Sequence, residues 1–150
     1  MIEGTLRSYY TSGYLQVEQN FRNGQLNGTV KTFDRSGKPE SEANYLNGIL
    51  NGRYAEYYIN KLLKLEGNYI NGDPDGTWVY YDPGGMVIGE GFFTRGDGIQ
   101  KTFYDNGITK QVTHYIKNKK HGDEVFYNPD GSVNITNKFD HGKLLEKIIR

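Results

Sequence analysis

The segment Gly76–Gly91, GTWVYYDPGGMVIGEG, holds the only tryptophan of the chain, the adjacent pair Tyr80 and Tyr81, and five glycines. Aromatic side chains at this density form cages for quaternary ammonium groups or platforms for sugars; a small β-sheet needs them equally to hold itself together. Three histidines, His114, His121 and His141, could ligate a metal, but none stands in an H-x-x-x-H or comparable spacing. His121 and His141 fall in expected turns, so all three read as surface residues and no metal site is expected. Asn71–Asp82, NGDPDGTWVYYD, places oxygen side chains at positions 1, 3, 5 and 12 with glycine at 6, as a calcium loop does. The same turn reads NGQLNG and NGILNG elsewhere, and position 12 is Asp82 where a bidentate Glu belongs, so a plain turn is expected. The run Lys117–His121, KNKKH, is the strongest anion-binding patch, and it reads as a solvated loop. No G-x-S-x-G occurs and no Gly-rich loop precedes a helix. Without a nucleophile, base and metal held in fixed relation, no catalytic residue is assigned, and the chain is expected to be non-enzymatic and free of cofactors.

The elements that would position these residues follow from composition. Eighteen Lys and Arg balance eighteen Asp and Glu, so no basic field recruits nucleic acid. Only 35% of residues are apolar, yet 14% are aromatic and Gly contributes 20 of 150. A chain poor in Leu and rich in Tyr, Phe and Gly reads as short strands and tight turns. Cysteine is absent, which removes disulfides and thiolate zinc sites. No apolar run reaches the length of a membrane helix and MIEGTLRSYY is not a signal peptide, so a cytoplasmic location is expected.

Self-similarity sets the organisation. Gly4, Gly28, Gly52, Gly76, Gly98 and Gly122 stand 24, 24, 24, 22 and 24 residues apart. Five residues after each comes an aromatic: Tyr9, Phe33, Tyr57, Tyr81, Phe103 and Tyr127. Seventeen after each comes another: Phe21, Tyr45, Tyr69, Phe93, Tyr115 and Phe139. Two turn positions recur, nine and twenty residues after the lead glycine, and both are nearly always Gly. Lys61 breaks the first column, where Asn60 is expected to take the left-handed conformation instead. The two-residue deletion falls after Gly96 and is expected to lie inside a turn.

Each repeat therefore reads as one β-hairpin. The chain is expected to be a single all-β repeat domain, residues 1–150. Six tandem hairpins, about twelve antiparallel strands, would form an elongated sheet roughly 50–60 Å long at 4.8 Å per strand. The second strand alternates: Leu63, Leu65 and Tyr69 share one face, while Glu18, Glu42, Glu66 and Glu90 column on the other with Asn20, Asn44 and Asn68. Stacked aromatic columns would supply a continuous core, and Glu146 stands where a seventh lead glycine is due. Which face is buried stays open at this point. Uncovered outer strands predict edge-to-edge homodimerisation.

The segments Phe21–Phe33 (FRNGQLNGTVKTF), Tyr45–Tyr58 (YLNGILNGRYAEYY) and Tyr69–Tyr81 (YINGDPDGTWVYY) carry a family resemblance. Their pattern of aromatic, Asn-Gly and lead Gly resembles the MORN repeats. It is closer to the bacterial variant repeats of proteins labelled YwqK-family antitoxins. The resemblance implies a scaffold that contacts proteins or, in some members, membrane phospholipid. The antitoxin label implies a proteinaceous toxin as partner. The repeated Trp of ordinary MORN repeats is missing and the period is longer, which weakens the lipid inheritance. TWVYYDPGGMVIGEG is also similar to one choline-binding repeat of Gram-positive surface proteins. That resemblance implies rings from adjacent copies boxing a trimethylammonium, and here Trp occurs once.

The expected activity is thus protein binding by a repeat scaffold, with lipid or cell-wall glycan binding as the alternative. Against its repeat counterparts only Trp78 and Tyr80 exceed the common pattern. An interaction patch of Trp78 and Tyr80, with Tyr54 and Tyr58 from the neighbouring hairpin and Glu66 and Glu90 as rim charges, is expected on an open face.

Overall fold

The computed structural model describes residues 1–150 and contains strands and turns but no helix. In chain order the strands are β1 (Gly4–Tyr9), β2 (Leu15–Arg22), β3 (Gln25–Leu26), β4 (Gly28–Phe33), β5 (Pro39–Leu46), β6 (Ile49–Tyr57) and β7 (Leu63–Ile70). They continue as β8 (Asp73–Tyr81), β9 (Val87–Thr94), β10 (Asp97–Phe103), β11 (Thr109–Ile116), β12 (Lys119–Tyr127), β13 (Val133–Asp140) and β14 (Lys143–Ile149). All join one antiparallel sheet in sequence order, with the short β3 continuing into β4 across Asn27. The six expected hairpins are present, and β14 adds a half repeat beyond them.

Two turn types alternate. At one edge each connection is a two-residue turn with both residues at positive φ: Asn23–Gly24, Asn47–Gly48, Asn71–Gly72, Arg95–Gly96, Lys117–Asn118 and His141–Gly142. This is the type I′ geometry, whose twist matches that of the strands it joins. The second residue of each turn donates its N–H to a carbonyl of the preceding repeat, as Gly48 does to Leu26 and Gly72 to Leu50, both at 2.8 Å. The turns therefore stack into a column of their own. At the other edge Tyr10, Asp34, Tyr58, Asp82, Tyr104 and Asn128 open longer turns closed by a left-handed residue. In the third repeat that residue is Lys61 itself, at φ 70°, and not Asn60. Bonds from Tyr58 to Leu62 and from Lys61 to Tyr58 fix the turn, while the Asn60 side chain accepts from the Leu62 N–H and donates to the Pro83 carbonyl. Lysine tolerates this conformation at a cost of about 1–2 kcal/mol.

The lead glycines mark a bulge. Ala43 pairs with Tyr54 and Tyr45 with Leu50, so β6 spends two extra residues around Gly52, which sits at φ 110°. The same excess surrounds Gly76 (φ 73°) in β8 and Gly122 (φ 77°) in β12. Glycine supplies the positive φ that the bulged strand requires. Between β9 and β10 the ladder is unbroken from Asp97–Thr94 to Thr102–Gly89, and Gly98 has no positive φ. The 22-residue spacing thus deletes the bulge and leaves the Arg95–Gly96 turn intact, contrary to the expected placement inside a turn.

The bulge also explains the amide column. It frees a carbonyl, and the side chain opposite takes it: Asn20 donates to the Thr29 carbonyl at 2.8 Å and Asn44 to that of Arg53 at 2.9 Å. His114 occupies this position in the fifth repeat, with Nδ1 2.8 Å from the Asp123 carbonyl. In the fourth repeat, where no bulge exists, the position is Phe92. Asn68 departs from the rule, its amide lying 3.4 Å from the Tyr69 carbonyl.

Pairing partners share a face and neighbours along a strand alternate. One face carries Tyr54, Gly67, Tyr69, Trp78, Tyr80, Phe93, Tyr115 and Phe126; the other carries Ala55, Glu66, Val79, Tyr81, Glu90, Lys101 and Val112. The two aromatic columns read from sequence consequently lie on opposite faces and do not merge into one core. Only 9 of 150 residues are buried, because no second layer covers either side.

Candidate functional site

The expected interaction patch divides between the two faces. Trp78, Tyr80 and Tyr54 share the first; Glu66 pairs with Val79 and Val79 with Glu90 on the second. Glu66 and Glu90 therefore cannot rim a Trp78 patch. Glu66 is already engaged, accepting from Arg53 at 3.0 Å and from the Tyr81 hydroxyl at 3.2 Å. The acidic column it belongs to is a ladder of alternating charge: Arg7 pairs with Glu18, Lys31 with Glu42, and Arg53 reaches both Glu42 and Glu66. Tyr58 stands at the edge, donating its hydroxyl to the Tyr81 carbonyl at 2.8 Å.

Trp78 is not exposed. It is 5% accessible and packs edge-on against Tyr69, ring centroids 5.0 Å apart, and tilted against Tyr54 at 6.0 Å. Tyr54 and Tyr69 complete a closed triad at 5.7 Å. The indole fits because both flanking strands present glycine to it. A Cβ on Gly67 would lie 2.1 Å from the indole ring, and one on Gly91 would lie 3.3 Å from the Trp78 Cβ. Its Nε1 is buried with no hydrogen-bond partner, a cost of about 1–3 kcal/mol that the packing of the indole must offset, and it is not presented to a ligand. The expected exposure of Trp78 is thus corrected: the surplus tryptophan is the local core.

Tyr80 is the residue of the patch that opens outward. With Ile88, Gln100, Thr102, Asp105 and Lys110 it lines a shallow cavity of about 430 Å³. Burial, then the neighbouring phenols of Tyr115 and Tyr69, push the Tyr80 hydroxyl up to about 12. It therefore stays a neutral donor across the physiological range.

Beyond Gly91 the same central row turns polar, through Gln100, Thr113, Glu124 and Asn137. Glu124 is 3% accessible and accepts from Lys120 Nζ at 2.5 Å, Gln111 Nε2 at 2.9 Å and Asn137 Nδ2 at 2.9 Å. Burial raises its carboxyl, but Lys120, Asn137 and Gln111 outweigh that and hold it below the ordinary glutamate value. Sequence reasoning passed over this network, although Gln100 and Glu124 stand in the column of Leu6, Val30, Tyr54 and Trp78. The change from apolar to polar within one column was its signal.

Two further groupings arise between repeats. Tyr10, Tyr58 and Tyr104 each send a hydroxyl to the carbonyl of the core aromatic in the next repeat: Phe33, Tyr81 and Tyr127. The alternate repeats carry Asp34, Asp82 and Asn128 there, whose side chains cap their own turns. His121, Asp140 and His141, set apart by spacing, converge at the sixth type I′ turn with their ligand atoms within 4.8 Å of one another, His141 from the turn and His121 from within strand β12, not from a turn as expected. The calcium-like Asn71–Asp82 segment is strand β8 and its turn, with Asp82 accepting from Gly84 and Met86 at the opposite end of the strand.

A single-layer sheet of tandem hairpins, joined by stacked turns and held by repeating glycine bulges, defines a β-repeat scaffold. The MORN repeat variant matches residues 2–23, 26–47, 74–94 and 96–117, more than half of the chain, and the chain belongs to that family. Each matched unit ends at or next to a type I′ turn. The third repeat, with Lys61, and the sixth, with its histidines, lie outside the matched segments. No curated protein matches the chain. No helix is long and apolar enough to cross a membrane.

Proposed function

We propose that this repeat scaffold is a non-enzymatic protein-binding module, the antitoxin-like partner of a bacterial protein. The observation that carries the reading is the open single layer, whose aromatic face has no second layer to cover it. An extended array of this kind offers a broad surface, and Tyr carries interface energy well. Tyr80 and Tyr54 remain on the binding face, Trp78 supports them from beneath, and Glu66 and Glu90 are left out of it. The outer strands β1 and β14 each leave one side of the backbone unpaired, which favours edge-to-edge pairing of two copies.

Glycan or lipid binding is the second reading. The cavity beside Tyr80 favours it, since Tyr80, Gln100 and Gln111 combine an aromatic ring with amides, as sugar sites do. A photo-reactive residue at Thr102, beside Tyr80, and another at Glu90, on the opposite face, separate the readings in lysate. A single protein crosslinked at 102 and not at 90, and bound at least about tenfold more weakly by Tyr80→Thr, supports the scaffold reading. Thr stands at the equivalent position in Thr32 and Thr102, so this variant keeps the sheet. No protein crosslink, with saturable binding to anionic vesicles or cell-wall fragments, overturns it for the second reading.

A further inference from the structure

We propose that His121, Asp140 and His141 form a three-ligand site for a borderline divalent metal of the zinc class. Each occupies a position that every other repeat fills differently. His121 precedes a lead glycine, where the others have Glu3, Asn27, Asn51, Asp75 and Asp97. In four of those five repeats that residue accepts the N–H of the first turn residue twenty positions on, as Asp97 does from Lys117 at 2.8 Å and Asp75 from Arg95 at 3.0 Å. His121 retains the role poorly, its Nδ1 lying 3.4 Å from the His141 N–H. Asp140 stands where the earlier repeats have Arg22, Leu46, Ile70, Thr94 and Ile116, and His141 where they have Asn23, Asn47, Asn71, Arg95 and Lys117. Asn is well suited to the left-handed conformation that His141 adopts at φ 45°, so the turn itself does not call for histidine.

Three departures from the repeat thus meet at one point. Asp140 Oδ1 lies 3.4 Å from His121 Nδ1 and 2.5 Å from His141 Nδ1, and the two imidazole centroids are 4.7 Å apart. Tetrahedral zinc sets its ligand atoms about 3.3 Å apart, and the three ligand atoms here lie within 4.8 Å of one another. Two imidazoles and one carboxylate leave a fourth position for water or a ligand from a partner. Lys143 stands opposite Asp140 in the ladder, and one carboxylate beside an ammonium cannot hold a hard cation by charge. Imidazole donors select zinc, copper or nickel over calcium and magnesium. His114 lines a cavity with His121, but it does not belong to the group whose ligand atoms lie within 4.8 Å of one another.

The test is competition of untagged protein against a chromophoric chelator for Zn2+, with Ca2+ and Mg2+ as comparators. His121→Asn, Asp140→Ile and His141→Asn each restore a residue used at that position by another repeat, and melting curves verify that they fold. One equivalent of Zn2+ should bind to the parent, Ca2+ and Mg2+ should not compete, and each variant should lose at least about tenfold in affinity. His114→Asn, which also restores a repeat residue, should bind as the parent does. No Zn2+ binding, binding undiminished in His121→Asn and His141→Asn, or binding abolished in His114→Asn would overturn the assignment.

Discussion

Adding one methyl group at Gly67 tests how the centre of the sheet is packed. Its Cβ would fall 2.1 Å from the Trp78 indole, and Gly67 has no positive φ to complicate the reading. Gly67→Ala must displace the indole from between Tyr54 and Tyr69, an overpacking cost of about 1–3 kcal/mol. Trp78→Ala, by emptying the same slot, should cost about 3–5 kcal/mol. At this chain length that is a fall of about 6–20 °C in Tm. With the indole gone the clash disappears, and alanine in a strand is favoured over glycine by about 0.5–1 kcal/mol. Gly67→Ala should therefore change sign, destabilising the parent and stabilising the Trp78→Ala background. Urea and thermal melts of the four proteins give the coupling directly. An equal cost in both backgrounds, or a Trp78→Ala cost below about 1 kcal/mol, would refute the buried slot.

Three other outcomes follow from the same geometry. Glu124 has a lowered folded value, so its stabilising effect is complete above the unfolded value of about 4.3 and is lost as pH falls through the folded one. Glu124→Gln should be less stable than the parent at neutral pH and flatter below pH about 4.3, as melts across an acid series will show. Gly98→Ala should be far more damaging than Gly122→Ala: the first puts a Cβ 2.0 Å from the Phe92 carbonyl oxygen, while the second meets nothing within 4 Å and bears only the φ penalty of about 1–2 kcal/mol. Denaturant midpoints rank the two, and the reverse order would contradict the bulge account. Tyr58→Phe and Tyr104→Phe each remove a hydroxyl bond to the next repeat, and each should cost about 0.5–1.5 kcal/mol in urea unfolding, additively, since the sites share no partner.

What sequence disclosed best was periodic. Positive φ favours Gly and Asn, so the second residue of each type I′ turn, from Gly24 to Gly142, was readable, while Lys61, Arg95 and Lys117 hold positive φ without such a signal. The bulge was harder, since it is a relation between strands. Gly52, Asn44 and the short spacing before Gly98 each bear on it, and only the register shows that one frees a carbonyl, one binds it and one does without. Trp78 was misplaced for a similar reason. Its burial is decided by Gly67 and Gly91, eleven residues before and thirteen after it, which leave room that Ala43 does not leave beside Tyr54. The aromatic columns at Tyr81 and Tyr69 looked like one core because an offset within a repeat does not reveal which face each occupies when a bulge and a longer turn intervene. The histidine cluster escaped because His121 lies in strand β12 and His141 in a turn 20 residues further on, a distance in sequence that no ligand-spacing rule covers.

The order of the strands also fixes how the molecule would respond to force. Every strand from β5 to β13 is paired only with its neighbours in sequence, so tension on the two ends would peel an outer strand without first breaking anything in the middle. Each 24-residue repeat released this way would lengthen the chain by about 80 Å. The regular steps would be interrupted at the shortened repeat, where the Asn118 amide reaches across an entire hairpin to Asp73 at 2.6 Å. That one bond spans 45 residues and ties the halves of the sheet together at the place where the bulge is missing. Under load it would make two consecutive hairpins yield as a pair, giving an otherwise uniform zipper a single catch.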